Sequence, residues 1–172
     1  MSMIFSSEII RYALPKDVRP RGYYPYLVKA LRHLDKGTYT RVRGRLLEKV
    51  KRKGLDPEVF EVMVGYLRKA LYSDVYLVAK GFEADYRYLL YKYNVSGMLC
   101  GTYYAFANRV KRIVSMTKGE KRRKQVRACI AYFKECYYCN EDLLEAIASL
   151  VEKYYEEINK VIIRESNVNN SR

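Results

Sequence analysis

The sequence predicts an all-α chain: a helical bundle built of αα-hairpins, preceded by an extended N-terminal arm. Three observations carry that expectation. Apolar residues make up 49% of the 172 residues, enough to close a core. They recur at helical spacing, as in Val42, Leu46 and Val50. Pro57 is the last of the 4 prolines, so everything beyond it is free to run in long helices punctuated by glycine.

Residues 1–26 hold the other prolines, Pro15, Pro20 and Pro25, with Lys16, Arg19 and Arg21 among them and Tyr23, Tyr24 and Tyr26 at the end. Proline withholds an amide donor and interrupts helix, so the whole stretch is expected to be an extended arm able to wrap a partner. A short helix follows from Tyr24 to Leu34 and stops near Gly37. Next comes a basic amphipathic helix, its apolar stripe Val42, Leu46 and Val50 flanked by Arg41, Arg43, Arg45, Lys49, Lys51, Arg52 and Lys53. Gly54 suits a helix C-terminus, and Asp56-Pro57-Glu58 restarts the chain with an N-cap, a first-turn proline and an acid. The resulting helix runs to about Tyr72. Further helices are expected at about 74–93, 98–116, 120–138 and 141–163, the last capped by Asn140. Residues 27–165 read as one helical domain and 166–172 as a polar tail.

A shift of 84 residues lays Val42 on Val126, Leu46 on Ile130, Asp56 on Asn140, Val59 on Leu143 and Glu61 on Glu145. In each copy a basic helix turns through a capped corner into an apolar one, a weak internal repeat that shared packing demands alone can also produce.

Charge points to a polyanion. The net charge is +14, and it is blocked: residues 1–53 carry 14 bases and 4 acids, and residues 108–134 carry 10 bases and 1 acid. Flanking aromatics, Tyr103, Tyr104 and Phe106 before and Tyr132 and Phe133 after, place the central run on packed elements. Expected nucleic-acid contacts are Lys16, Arg19 and Arg21 in the arm, then Arg41, Arg43, Arg45, Lys49, Arg52 and Lys53. The central run adds Arg109, Lys111, Arg112, Lys118, Lys121, Arg122, Arg123, Lys124 and Arg127. The 19 tyrosines suit an interface-rich protein, with Tyr23, Tyr24, Tyr26, Tyr39, Tyr88 and Tyr91 as candidates for reaching a neighbouring subunit or sugar-phosphate.

Other chemistry is weaker. Cys136-Tyr137-Tyr138-Cys139 has zinc half-site spacing, but there is no second such pair and the single histidine, His33, is distant, so no metal is expected. His33 reads as a satisfied packing or surface residue. Glu83 with Asp85, and Glu156 with Glu157, fit solvated helix faces. Gly97 and Gly101 fit close helix packing, since no Lys-Ser/Thr follows as in a phosphate loop. No nucleophile, base and oxyanion donor assemble, so neither enzyme activity nor a cofactor is expected. No apolar run approaches a membrane span, and the N-terminus lacks the pattern of a secretory leader.

The segment Ala131-Tyr132-Phe133, Cys136-Tyr137, Asn140 and Leu143-Leu144-Glu145-Ala146-Ile147-Ala148 resembles the C-terminal helical hairpin of the major capsid proteins of rod-shaped and filamentous archaeal viruses (rudiviruses, lipothrixviruses, tristromaviruses). Gly101-Thr102-Tyr103-Tyr104-Ala105-Phe106-Ala107 followed by Arg109 is similar to the preceding helix of that family. The likeness covers the last third to half of the chain, and it departs in the long segment from Ser73 to Ser96 and in the polar tail. It implies a structural protein of the virion, made in the host cytoplasm. It further implies a subunit that pairs with itself or a paralogue and wraps linear double-stranded DNA in A form. A cellular DNA-binding regulator or chromatin protein, and an RNA-binding subunit of a ribonucleoprotein, are the alternative readings of the same charge.

Overall fold

The computed structural model describes residues 3–18 and 20–170, with side chains through Asn167. Among these, eight helices and no strands form: α1 (Ser6–Ala13), α2 (Tyr24–Asp35), α3 (Tyr39–Arg52), α4 (Pro57–Ala70), α5 (Asp74–Lys92), α6 (Gly97–Met116), α7 (Gly119–Tyr137) and α8 (Glu141–Asn170). The all-α expectation holds, and α2 to α7 lie within a few residues of their expected bounds.

The chain divides into two compact units, Met1–Ala79 and Lys80–Arg172, where the sequence reading had one domain over residues 27–165. The division falls inside α5, a boundary that helical periodicity cannot reveal because the helix is continuous across it. In the first unit, α2, α3 and α4 pack pairwise as a three-helix module, with α1 laid on α2 and α4. Its core is Phe5, Ile9, Ile10, Leu27, Leu31, Leu46, Val50, Phe60, Met63 and Leu67, all at most 1% exposed. In the second, α6, α7 and α8 pack pairwise in the same way around Phe106, Val110, Phe133, Leu143, Leu144, Ile147 and Val151.

Two expectations about the ends are corrected. The extended arm contains α1, whose Ile9 and Ile10 are fully buried. The prolines all lie after residue 14, and the pattern Phe5, Ile9, Ile10 is helical, so their influence does not reach back to Ser6. Pro25 sits in the first turn of α2, where its missing N–H costs nothing. At the other end, the polar tail continues α8 to Asn170 as far as it is described, because polarity without Gly or Pro does not break a helix.

The repeat is visible in the corners. The α3–α4 corner passes through Gly54 (φ +74°) to the cap Asp56, whose Oδ1 accepts from the Glu58 N–H at 2.8 Å. The α7–α8 corner passes through Tyr138 (φ +56°) to Asn140, whose Oδ1 accepts from the Leu143 N–H at 3.1 Å. In each three-helix module a buried tyrosine, just before α2 or within α6, holds the corner. The Tyr23 hydroxyl accepts from the Asp56 N–H at 2.9 Å, and the Tyr103 hydroxyl accepts from the Asn140 N–H at 2.9 Å. The helical part of the repeat is displaced by one residue from the expected pairing. Burial matches Leu46 with Cys129 and Val50 with Phe133, not Leu46 with the half-buried Ile130. Leu55 N–H donates to the Val50 carbonyl, while Cys139 N–H donates to that of Phe133, so α7 holds one more residue in its last turn.

Candidate nucleic-acid interface

The first module carries its cations on α3 and α2. Arg41, Arg45 and Lys49 recur every four residues and therefore share one face of α3, and all three are exposed. Lys53 extends the exposed basic run past the helix end. Arg43 points elsewhere, its Nε donating to Glu61 on α4, and Arg52 pairs with Glu48 at 2.7 Å within α3. Arg43 thus fastens the hairpin more than it offers charge to a ligand. The sequence reading missed Lys29 of α2, which is exposed and lies close enough to Lys49 for their charges to repel. Lys49 beside it, with Arg32 and Arg45 adding to the field, holds the Lys29 ammonium below its usual pKa. Like charges gathered at one place raise their own electrostatic energy, and an anion between them lowers it. Next to this cluster, the His33 Nδ1 and Thr38 Oγ1 share a hydrogen bond at 2.9 Å. Burial, and then the fields of Arg32, Lys29 and Lys36, keep the imidazole below its ordinary pKa.

In the second module Arg109 and Arg112 on α6, and Lys121, Arg123, Lys124 and Arg127 on α7, are exposed, as is Lys118 just before α7. Lys111 is half-buried. The Arg123–Glu120 approach of 3.8 Å joins two exposed side chains and contributes little. A groove between α6 and α7 is lined by Arg109, Arg112, Gln125, Ala128 and Tyr132. There the Arg109 guanidinium lies 5.5 Å from the centre of the Tyr132 ring, in a cation–π contact.

Arg122 is the exception in the central run. Its side chain is 14% exposed, and Nε and Nη2 donate to the Thr117 and Val114 carbonyls at 3.0 and 2.9 Å. Its Nη1 reaches Glu152 at 3.0 Å and Glu156 at 3.3 Å on α8. These carbonyls belong to the last turn of α6 and the residue after it, where no intrahelical donor remains. The guanidinium therefore closes α6 and ties it to α8, and its expected role as a phosphate contact is corrected. The periodicity of α7 shows only that position 122 falls between exposed and buried faces; the acceptors come from two other elements.

The arm candidates Lys16 and Arg21 are exposed, while Arg19 lies outside the described residues. Among the candidate interface tyrosines, Tyr88 and Tyr91 are exposed at 63% and 84%, but Tyr23 and Tyr39 are buried in the first unit. Glu83 is buried at 4% exposure, against the expected solvated face, and Asp85 accepts from the Tyr154 hydroxyl. Cys136 is exposed and Cys139 buried, and all four cysteines are free. Among the described residues no three His, Cys, Asp or Glu side chains gather into a metal-holding group, and no helix is long and apolar enough to cross a membrane. Comparison with protein-family models, with curated proteins and with solved structures finds no match to this chain.

Proposed function

We propose that this chain is a non-enzymatic structural nucleoprotein that coats linear double-stranded DNA, as the resemblance to archaeal filamentous-virus capsid proteins implies. The observation that carries the reading is the exposed row Arg41, Arg45 and Lys49 on α3, with exposed Lys29 on the adjoining α2, a concentration of like charge that a polyanion neutralises. Lys and Arg that neutralise phosphates release counterions and bind duplex of any sequence. In this reading subunits associate with themselves or a paralogue along the duplex, the exposed aromatics Tyr88, Tyr91 and Tyr138 being suited to subunit contacts, and the protein resides in a virion.

Electron microscopy of the protein mixed with linear duplex tests it, together with binding measured against salt. Ordered filaments are expected, with affinity falling steeply as salt rises and with little difference between sequences. A strong preference for one duplex site would favour a regulator, and a preference for single-stranded RNA would favour a ribonucleoprotein subunit. A sheath that excludes water favours A-form geometry, so saturated duplex is expected to show A-type circular dichroism. A B-form spectrum in fully coated filaments would reject the capsid version in favour of a chromatin-like binder.

A further inference from the structure

Each three-helix module places exposed cations at corresponding positions on its first two helices. Raising the numbers of α2 by 80 lays the buried Tyr23 on Tyr103, Leu27 on Ala107 and Ala30 on Val110. The same shift lays Lys29 on Arg109 and Arg32 on Arg112. Raising the numbers of α3 by 83, the register that burial establishes, lays Arg41 on Lys124, Arg45 on Ala128 and Lys49 on Tyr132. The pair in contact in the second module, Arg109 with Tyr132, therefore corresponds in position to Lys29 and Lys49 of the first. Matched buried positions, with α2 packed on α3 and α6 packed on α7, make the two helix pairs equivalent features of one repeated design. Both carry exposed cations.

We infer that the chain grips a phosphodiester backbone at two equivalent sites, one in each module. Lys29, Arg45 and Lys49 form the first, between α2 and α3; Arg109 and Arg112 form the second, between α6 and α7. The two differ in chemistry. The first is a cluster of flexible side chains acting mainly as point charges. The second is headed by a guanidinium held against Tyr132 by a cation–π contact, whose planar fork suits a bidentate contact with one phosphate. This inference rests on the nucleic-acid-coat reading and specifies where that coat is held.

The test compares duplex binding across a salt series for the full chain and three variants: Lys29→Gln with Lys49→Gln, Arg109→Gln with Arg112→Gln, and a control, Lys153→Gln with Lys160→Gln. Each removes two charges from exposed side chains. Both groove variants are expected to flatten the log–log salt slope by about 2, at roughly 0.9 per phosphate contact, while the control leaves it nearly unchanged. Circular dichroism checks that each variant stays helical, and Lys29→Arg with Lys49→Arg should retain the full slope. If the unaltered chain shows no salt-dependent duplex binding, the coat reading itself fails. If it binds but either groove variant behaves like the control, the coat reading stands and the two-site inference is overturned.

Discussion

Arg122, Arg123 and Lys124 are neighbours in a basic run, yet their surroundings assign them opposite tasks. Charge-assisted hydrogen bonds from a mostly buried guanidinium contribute about 1.5–3 kcal/mol each before discount for the exposed ends of Glu152 and Glu156. Arg122→Ala should therefore destabilise the fold by about 1–3 kcal/mol in denaturant unfolding. Arg123→Ala should change stability by less than about 0.5 kcal/mol and weaken duplex binding instead. The reverse pattern would return Arg122 to the interface. His33, the only histidine, reports on the other module. Its folded pKa is lowered from 6.5, so the stability it contributes is present above that pH and is lost as pH falls through the lower folded value. Phosphates near Lys29 offset the field of Lys29, Arg32 and Lys36, so duplex should raise the midpoint, read from the single imidazole resonance by NMR. A midpoint that does not move would remove the cations of α2 and α3 from the bound surface.

At the scale of elements, the two corners make the same structure by different residues. Gly54 occupies a left-handed position without steric cost, whereas Tyr138 occupies one at φ +56° in a residue that is 88% exposed. Tyr138→Gly should thus stabilise the chain by about 0.5–1 kcal/mol, and Gly54→Ala should cost about 1 kcal/mol, both measurable as shifts in the unfolding midpoint. Removing either corner hydroxyl, by Tyr23→Phe or Tyr103→Phe, leaves the cap N–H of Asp56 or Asn140 without its acceptor and should cost about 1–2 kcal/mol. Negligible effects in both would mean that solvent replaces the phenol and that the corners depend on their caps alone.

For the whole molecule, each unit has its own core, which makes independent folding the expected behaviour. Within the second unit, the α5 residue Phe82 meets Tyr154 of α8 edge-on, with ring centroids 5.6 Å apart. The Tyr154 hydroxyl donates to Asp85, which with burial pushes its pKa up to about 12. A fragment from Asp74 to Arg172 should therefore be helical and unfold in one cooperative transition. Its raised tyrosine pKa means that the contribution of Tyr154 is complete below pH 10 and lost as pH rises towards 12. A fragment melting without a sigmoidal transition would show that the second unit needs the first.

Local rules sufficed for most of the helices. Apolar spacing of three and four residues, Gly54 after a helix, and Asp56 and Asn140 at caps are interactions within one turn of chain, so residue order alone determines them. The helix α1 was legible in the same way, but the prolines beyond it outweighed its pattern in the reading. The exposed rows on α3 and α7 were also legible, because charge at helical spacing must face outward. What the sequence could not determine were contacts between elements far apart in the chain. Arg122 turns inward because acceptors on α6 and α8 converge on it, and Lys29 joins the cationic cluster because α2 packs beside α3. Tyr23, a candidate for reaching a neighbouring subunit, supports a corner instead, as Tyr103 does, because each hydroxyl meets a cap N–H more than 30 residues away. The tertiary structure decides such cases because a side chain's role depends on the donors and acceptors that packing brings within about 3 Å, and linear spacing carries no record of those neighbours.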